Sequence, residues 1–563
     1  MAMIEELTPQ VLMIAMFLVI VMVPALTLLL SAVLLHRYRR AVARAMGAAS
    51  GLNDPAAART TPITSQPVEA VLPERTGSSK PEDLLGRALS GPWRDALRYF
   101  IAGLAFALVL ALAAHHVYPS GLGLPRFLIG VWIYLWPAFL ALAITAPGSW
   151  RFWGGVFLGY CTVYALLGLW AATVLNLPEY RFGAVVVPAR PTVTPEAMIK
   201  LWLIVDGAPT LLMLLCLNRR IRAVAPLVLA LALVTAAVSG LLAVYFALFS
   251  PRGMDAAVAV ATGLKIHIYA LLSCLFLLSL LGFGALGWGL ARWIASAYQR
   301  GRLSEQSLLL DALWLLFASS YSMWLVMGGV GWVVAGPLAF VAFKLTRILA
   351  AACSTRAPRQ PIGLTFLRVF SLGRRSEALL ENVAKHWCHV GSIQLITGPD
   401  LAASTVQPHQ FLDFLAGKLA RHFVGDQASL ARSLAERDSV ADPDGRFRIN
   451  NFFRHADSWK AVLPHLVKDG DSVLMDLRSF DAEHAGCTHE IRHLVAEVSF
   501  RRCLLVVDAS TNQAFLDGIL ESASASLHPG SPNFGRPLEE VRKLTFGTGP
   551  EETRRLIRRR AAG

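Results

Sequence analysis

Apolar stretches long enough to cross a bilayer recur up to about residue 349 and then stop. That change of texture constrains the fold more than any motif in the chain. A hydrocarbon core of about 30 Å takes roughly 20 apolar residues in a helix. Runs 11–35, 100–117, 127–146, 152–175, 201–217, 224–249 and 266–293 are of that kind. Run 308–347 is too long for one helix, and Gly328, Gly329 and Gly331 divide it into two spans around a tight turn. The sum is about nine spans by the length rule. Hydrophobic residues make up 55% of the 563 positions, and the mean hydropathy is +0.51, above that of ordinary soluble domains.

Basic residues give the direction. Arg37, Arg39, Arg40 and Arg44 follow the first span, Arg219, Arg220 and Arg222 the fifth, Arg292, Arg300 and Arg302 the seventh, and Lys344, Arg347, Arg356 and Arg359 the last. An odd number of spans puts these clusters on one side, which the positive-inside rule makes cytoplasmic. The expectation is a multi-pass protein of a bacterial-type inner membrane, with the N-terminus outside and the C-terminal domain in the cytoplasm. Residues 1–35 form an uncleaved anchor, because the leader MAMIEEL is acidic rather than basic. Residues 36–95, rich in Ala, Pro, Thr, Ser and Gly, read as a flexible linker, 96–350 as a polytopic region and 351–563 as an α/β domain.

The net charge of +14 is that of cytoplasmic loops, so no nucleic-acid partner is expected. The basic tail RRLIRRR, 554–560, suits anionic lipid. Seven cysteines without a CxxC pair indicate no disulfide framework. The string GFGALG, 282–287, has the letters of a dinucleotide fingerprint but lies inside an apolar span, where small residues serve helix packing. Asp206, within LWLIVDGAPTLL, is the clearest ionisable residue inside a span. Such a residue marks function by default and is a candidate to bind a cation or carry a proton.

After residue 361, short apolar runs alternate with amphipathic stretches. Strands are expected at 367–372, 392–397, 472–477, 503–508 and 541–546. Helices are expected at 375–386, 410–424, 459–467, 490–498, 512–523 and 551–560. The pattern predicts a mainly parallel sheet covered on both faces. Ligands of such sheets bind beyond the carboxyl ends of the strands. Arg374 and Arg375 are therefore candidates to receive a phosphate, and Asp476, Arg478 and Asp508 to contact ribose or another polar group.

The segment DSVLMDLRSFDAEHAGCTHEIRHLV holds the densest set of reactive side chains. A strand ends at Leu477, a loop with Ser479 follows, and Gly486-Cys487 opens a helix with Glu490 expected in its first turn. This order resembles TIR-like (Rossmannoid) domains, with Ser479, Cys487 and Glu490 on the matching places. The resemblance implies a sensing or signalling domain, an NAD-like nucleotide as ligand, and, in enzymatic members, a glutamate serving NAD cleavage, here Glu490. The same helix reads His489-Glu490-Ile491-Arg492-His493, an HExxH match, and so offers a second reading as a membrane-anchored zinc hydrolase. A third reading is a transporter-like membrane core with a regulatory domain, resting on Asp206. The partners expected are the lipid bilayer, a small-molecule or nucleotide ligand, and a second copy of the chain in a homo-oligomer.

Overall fold

Each long apolar run is helical where the structure, a computed structural model, describes it. The described residues are 23–48, 81–117, 122–176, 180–182, 185–187, 193–218, 221, 224–235, 251–326, 328, 330–353, 361–369, 374–397, 406, 408–424, 427–454, 459–469 and 472–545. The chain divides into two units. The first comprises Met1–Leu34, Asp95–Ala297 and Glu305–Thr355, and the second Leu35–Arg94, Tyr298–Ser304 and Arg356–Gly563.

The helices are α1 Val23–Ala48, α2 Pro81–Val117, α3 Leu124–Tyr134, α4 Trp136–Thr145, α5 Trp150–Leu175, α6 Pro195–Trp202, α7 Ala208–Cys216, α8 Ala225–Thr235, α9 Pro251–Gly263, α10 Ile268–Gln299, α11 Glu305–Val326 and α12 Ala335–Ala352. Among the described residues, six segments are long and apolar enough to cross a membrane: Ala88–Val117, Leu124–Thr145, Trp150–Leu175, Pro195–Cys216, Glu305–Leu325 and Gly331–Ala352. The expected count of about nine is not supported. Of the expected spans beyond these six, residues 1–22 and 236–250 lie outside the described residues. The span expected at 266–293 falls on α10, whose side chains are described only in part. The division of the long run 308–347 is correct: α11 and α12 flank a short 3-10 turn, Val330–Val334.

Polarity in the first unit follows lipid as the solvent. Leu158, Leu166 and Leu169 of α5 point outward, while Ser320 and Ser322 of α11 are buried. The core centres on Trp314 of α11, whose ring centroid lies 4.8 Å from Phe106 and 4.5 Å from Phe343. Gly287, from the fingerprint look-alike, sits where a Cβ would come 2.4 Å from Thr235 Cγ2, so its part is close helix packing. Between α5 and α6 lies a short antiparallel hairpin, β1 Tyr180–Phe182 with β2 Val185–Val187. The Asn176 side chain closes its base by bonding Val193 O at 2.9 Å and accepting from Val193 N at 2.8 Å.

In the second unit the elements are β3 Leu364–Arg368, α13 Arg374–Trp387, β4 Ile393–Thr397, α14 Pro408–Leu415, β5 Phe423–Val424, α15 Gln427–Ala435, β6 Ile449–Arg454, α16 Trp459–Asp469, β7 Ser472–Asp476, α17 Ala485–Glu497, β8 Cys503–Val507, α18 Gln513–Ala525 and β9 Arg542–Thr545. The strands form a parallel seven-stranded sheet in the order β5-β6-β4-β3-β7-β8-β9. Both faces are covered, as near-continuous apolar strands require. Val473, Met475, Cys503, Leu505 and Val507 pack toward α16, α17 and α18. The alternating Leu474, Leu504 and Val506 pack toward α13.

Three element expectations need correction. The first strand lies at Leu364–Arg368, upstream of 367–372, because Thr365 is buried with its hydroxyl satisfied by Leu466 O at 3.1 Å. The helix expected over 410–424 ends at Leu415, where Gly417 takes φ +73 and turns the chain into β5. Strand β6 went unexpected because INNFFR opens with two asparagines. Asn450 is accommodated by bonds to the backbone N and O of Asp438, at 2.9 and 3.0 Å. Both flanks of the stretch read as a linker pack within this unit. Tyr38 meets the Phe414 ring edge-on at 5.3 Å, and Ala88 joins the core beneath α13. Residues 49–80 and the tail 546–563 lie outside the described residues.

Candidate functional site

The strand order locates the crevice. Setting aside the two-residue β5, the remaining strands run third, second, first, fourth, fifth, sixth in chain order, the arrangement of dinucleotide-binding sheets. The direction of winding reverses between β3 and β7, and ligands of such sheets sit beyond the carboxyl ends of the strands at that point.

Asp476 ends β7 there, and none of its surface is exposed. Its Oδ1 accepts from Arg478 Nε at 2.8 Å, and its Oδ2 accepts from Arg478 Nη2 at 2.7 Å and from Ser376 Oγ at 2.8 Å. Arg478 Nη2 also donates to Arg375 O at 2.9 Å. This buried fork ties the loop after β7 to the first turn of α13. Above it, Ser479 adopts φ +57, a left-handed conformation that costs a non-glycine residue about 1 kcal/mol or more. Its hydroxyl meets Arg375 Nη1 at 3.2 Å and Ser510 Oγ at 2.8 Å. Arg375 Nη2 reaches Asp508 Oδ2 at 2.6 Å, and the Arg375 side chain is 53% exposed.

Asp508, just past β8, is held in turn by its own loop. Its Oδ1 accepts from the Ser510 amide at 3.0 Å and the Ser510 hydroxyl at 2.5 Å. Thr511 Oγ1 accepts from Asp508 N at 3.0 Å and donates to Leu477 O at 2.9 Å, joining the two loops. Burial pushes the Asp508 carboxyl up, but the Ser510 bonds and Arg375 outweigh it and hold the carboxyl below the ordinary aspartate range. A carboxyl lowered on folding contributes stability above its unfolded value near 4, and loses it as pH falls through the folded value. Asp508→Asn should therefore narrow the difference in protection of β8 and α18 between pH 7 and pH 3. Hydrogen exchange on the full chain in detergent measures this, and an unchanged difference would count against the loop's electrostatics.

Arg375, Asp476, Arg478, Ser479 and Asp508 are thus brought together at the carboxyl ends of β7 and β8. Ser376, Ser510 and Thr511 complete the cluster. The signal that points to Ser510 and Thr511 is their place two and three residues past Asp508, the aspartate that follows β8, an Asx-turn composition; Ser376 carries no such signal. The side chain of Arg374 lies outside the described residues. Cys487 and Glu490 are carried by α17 rather than by these loops. Cys487 Sγ points at Arg368 O, 3.7 Å away, at the carboxyl end of the central strand β3. The helix begins at Ala485, so Glu490 is past the first turn where it was expected, and only 1% of it is exposed. Ala485 and Gly486 enter the helix directly after His484, which moves its start upstream. His489 is exposed and His493 half-buried on α17. Burial lowers the His493 imidazole below its ordinary value, with His489 adding to the effect and Glu497 opposing it. Among the described residues, no three His, Cys, Asp or Glu side chains gather to hold a metal ion, so no third ligand stands beside this histidine pair.

Comparison of the chain with protein-family models, curated proteins and solved structures found no match.

Proposed function

We propose that this is a multi-pass membrane protein with a cytoplasmic TIR-like domain that binds an NAD-like nucleotide and signals its presence. The observation that carries the reading is the polar cluster at the reversal point between β3 and β7. There a half-exposed Arg375 is aimed by Ser479 and Asp508 above the buried Asp476–Arg478 fork. A guanidinium in that place suits a ligand phosphate. The oxygens of Asp508 and Ser510 are acceptors of the kind a ribose diol needs. The basic residues after the last span, Arg356 and Arg359, support an inside C-terminus, which would put the domain among cytosolic nucleotides.

The test is titration calorimetry of the full chain in nanodiscs with ADP-ribose and NAD. Saturable binding is expected, and Arg375→Ala should weaken it about 10- to 100-fold, the loss of one charge-assisted contact. No saturable binding of either nucleotide, or equal binding by the variant, overturns the proposal. NAD cleavage, with water replacing nicotinamide on the ribose carbon, would rest on Glu490. Nicotinamide release that disappears in Glu490→Gln while binding persists would add that activity.

A further inference from the structure

Asp206 is buried in the first unit with no exposed surface, inside a five-residue π-helical turn, Leu203–Gly207, that interrupts the span Pro195–Cys216. Such wide turns inside α-helices occur often at functional sites. Pro209 follows two residues beyond the turn and has no N–H, so it leaves a carbonyl of the turn without its helical donor. Asp206 Oδ1 accepts from Tyr321 Oη on α11 at 2.5 Å. Its Oδ2 is buried without a hydrogen-bond partner.

The groups that face Asp206 are hydroxyls. Tyr321 comes from α11, and Tyr160 and Tyr164 of α5 lie within electrostatic reach. Tyr134 of α3 closes on Tyr321 at 4.8 Å between ring centroids. The two α5 hydroxyls are already engaged: Tyr164 donates to Met198 O at 2.9 Å, and Tyr160 accepts from Trp202 Nε1 at 3.2 Å. Among the described residues, no Lys, Arg or His is among the groups acting on this carboxyl, and no second carboxylate joins it to build a metal site. A carboxylate sealed from water without a counter-ion takes up a proton rather than remain charged. A metal cation would need several oxygen ligands, whereas a proton needs one.

We propose that Asp206 is a proton-binding switch in the membrane unit. It is a neutral acid in the packing described here, with the proton on Oδ2 and Tyr321 donating to the carbonyl oxygen Oδ1. Losing the proton leaves a bare charge in the π-turn, and the helices must part to admit water. This site is independent of the nucleotide crevice.

Infrared difference spectroscopy on the full chain in liposomes tests this at neutral pH. A protonated-carboxyl C=O band is expected that disappears in Asp206→Asn. Tyr321→Phe should keep the band and move it to higher wavenumber, because the carbonyl loses its donor. A band that persists in Asp206→Asn, no such band in the native chain, or no shift in Tyr321→Phe overturns the proposal. So does a band that sodium ions abolish at fixed pH, which would make the site one for a metal cation. Tyr321→Phe removes only a hydroxyl, so the test stands even if Asp206→Asn does not fold.

Discussion

Asp476→Ala is expected to destabilise the second unit by about 3–5 kcal/mol, because it strands a buried guanidinium. Arg478 is nearly buried, and Asp476 accepts from both its Nε and its Nη2. Ser376 loses its acceptor at the same time. The desolvation already suffered by Arg478 is then uncompensated, which costs more than the pair's net worth. A double variant, Asp476→Leu with Arg478→Met, removes both charges and should recover most of the loss. Hydrogen exchange of β7 and the start of α13, on the full chain in detergent, reports both effects. Equal protection in native and Asp476→Ala chains would show that the fork holds nothing.

Gly391→Ala should cost about 3 kcal/mol, the upper end for overpacking, and reduce the yield of folded protein. Gly391 ends the turn from α13 into β4, where its N–H donates to Trp387 O at 3.0 Å. A Cβ there would lie 1.9 Å from Ile362 O, with Ile362 C and N also within 2.6 Å. Those atoms are backbone leading into β3, and the Trp387 indole already donates to the same Ile362 oxygen at 3.1 Å. No side chain is available to swing aside. Gly518 on α18 is the control: nothing lies within 4 Å of its Cβ position, so Gly518→Ala should gain about 0.5–1 kcal/mol through helix propensity. If both alanine variants behave alike, the close approach at Gly391 is not what the chain depends on.

The two-part organisation was legible because lipid and water select opposite compositions. Even the glycine break between α11 and α12 showed in the letters. The site residues that were legible, Arg375, Asp476, Arg478, Ser479 and Asp508, all sit where an apolar run gives way to polar residues, which is what a strand's carboxyl end looks like in sequence. What was not legible depends on partners far along the chain. The strand order is set by crossovers that leave no local pattern. Strand β6 was hidden because Asn450 is satisfied by Asp438 twelve residues before it. Glu490 was placed in a first turn because the helix was expected to open at Gly486-Cys487, whereas it begins at Ala485. The π-turn around Asp206 had no warning beyond Pro209, and the Tyr321 hydroxyl that Asp206 accepts from lies 115 residues further along the chain.

Photolabelling locates the nucleotide most directly. The full chain in nanodiscs would be irradiated with a photoreactive NAD analogue, and the labelled peptides mapped by mass spectrometry. The predicted result is label within residues 374–387, 478–484 or 508–512, competed away by ADP-ribose and lost in Arg375→Ala. Label confined to the membrane helices or to His489 and His493 of α17, or no label that ADP-ribose displaces, would contradict a nucleotide site between β3 and β7.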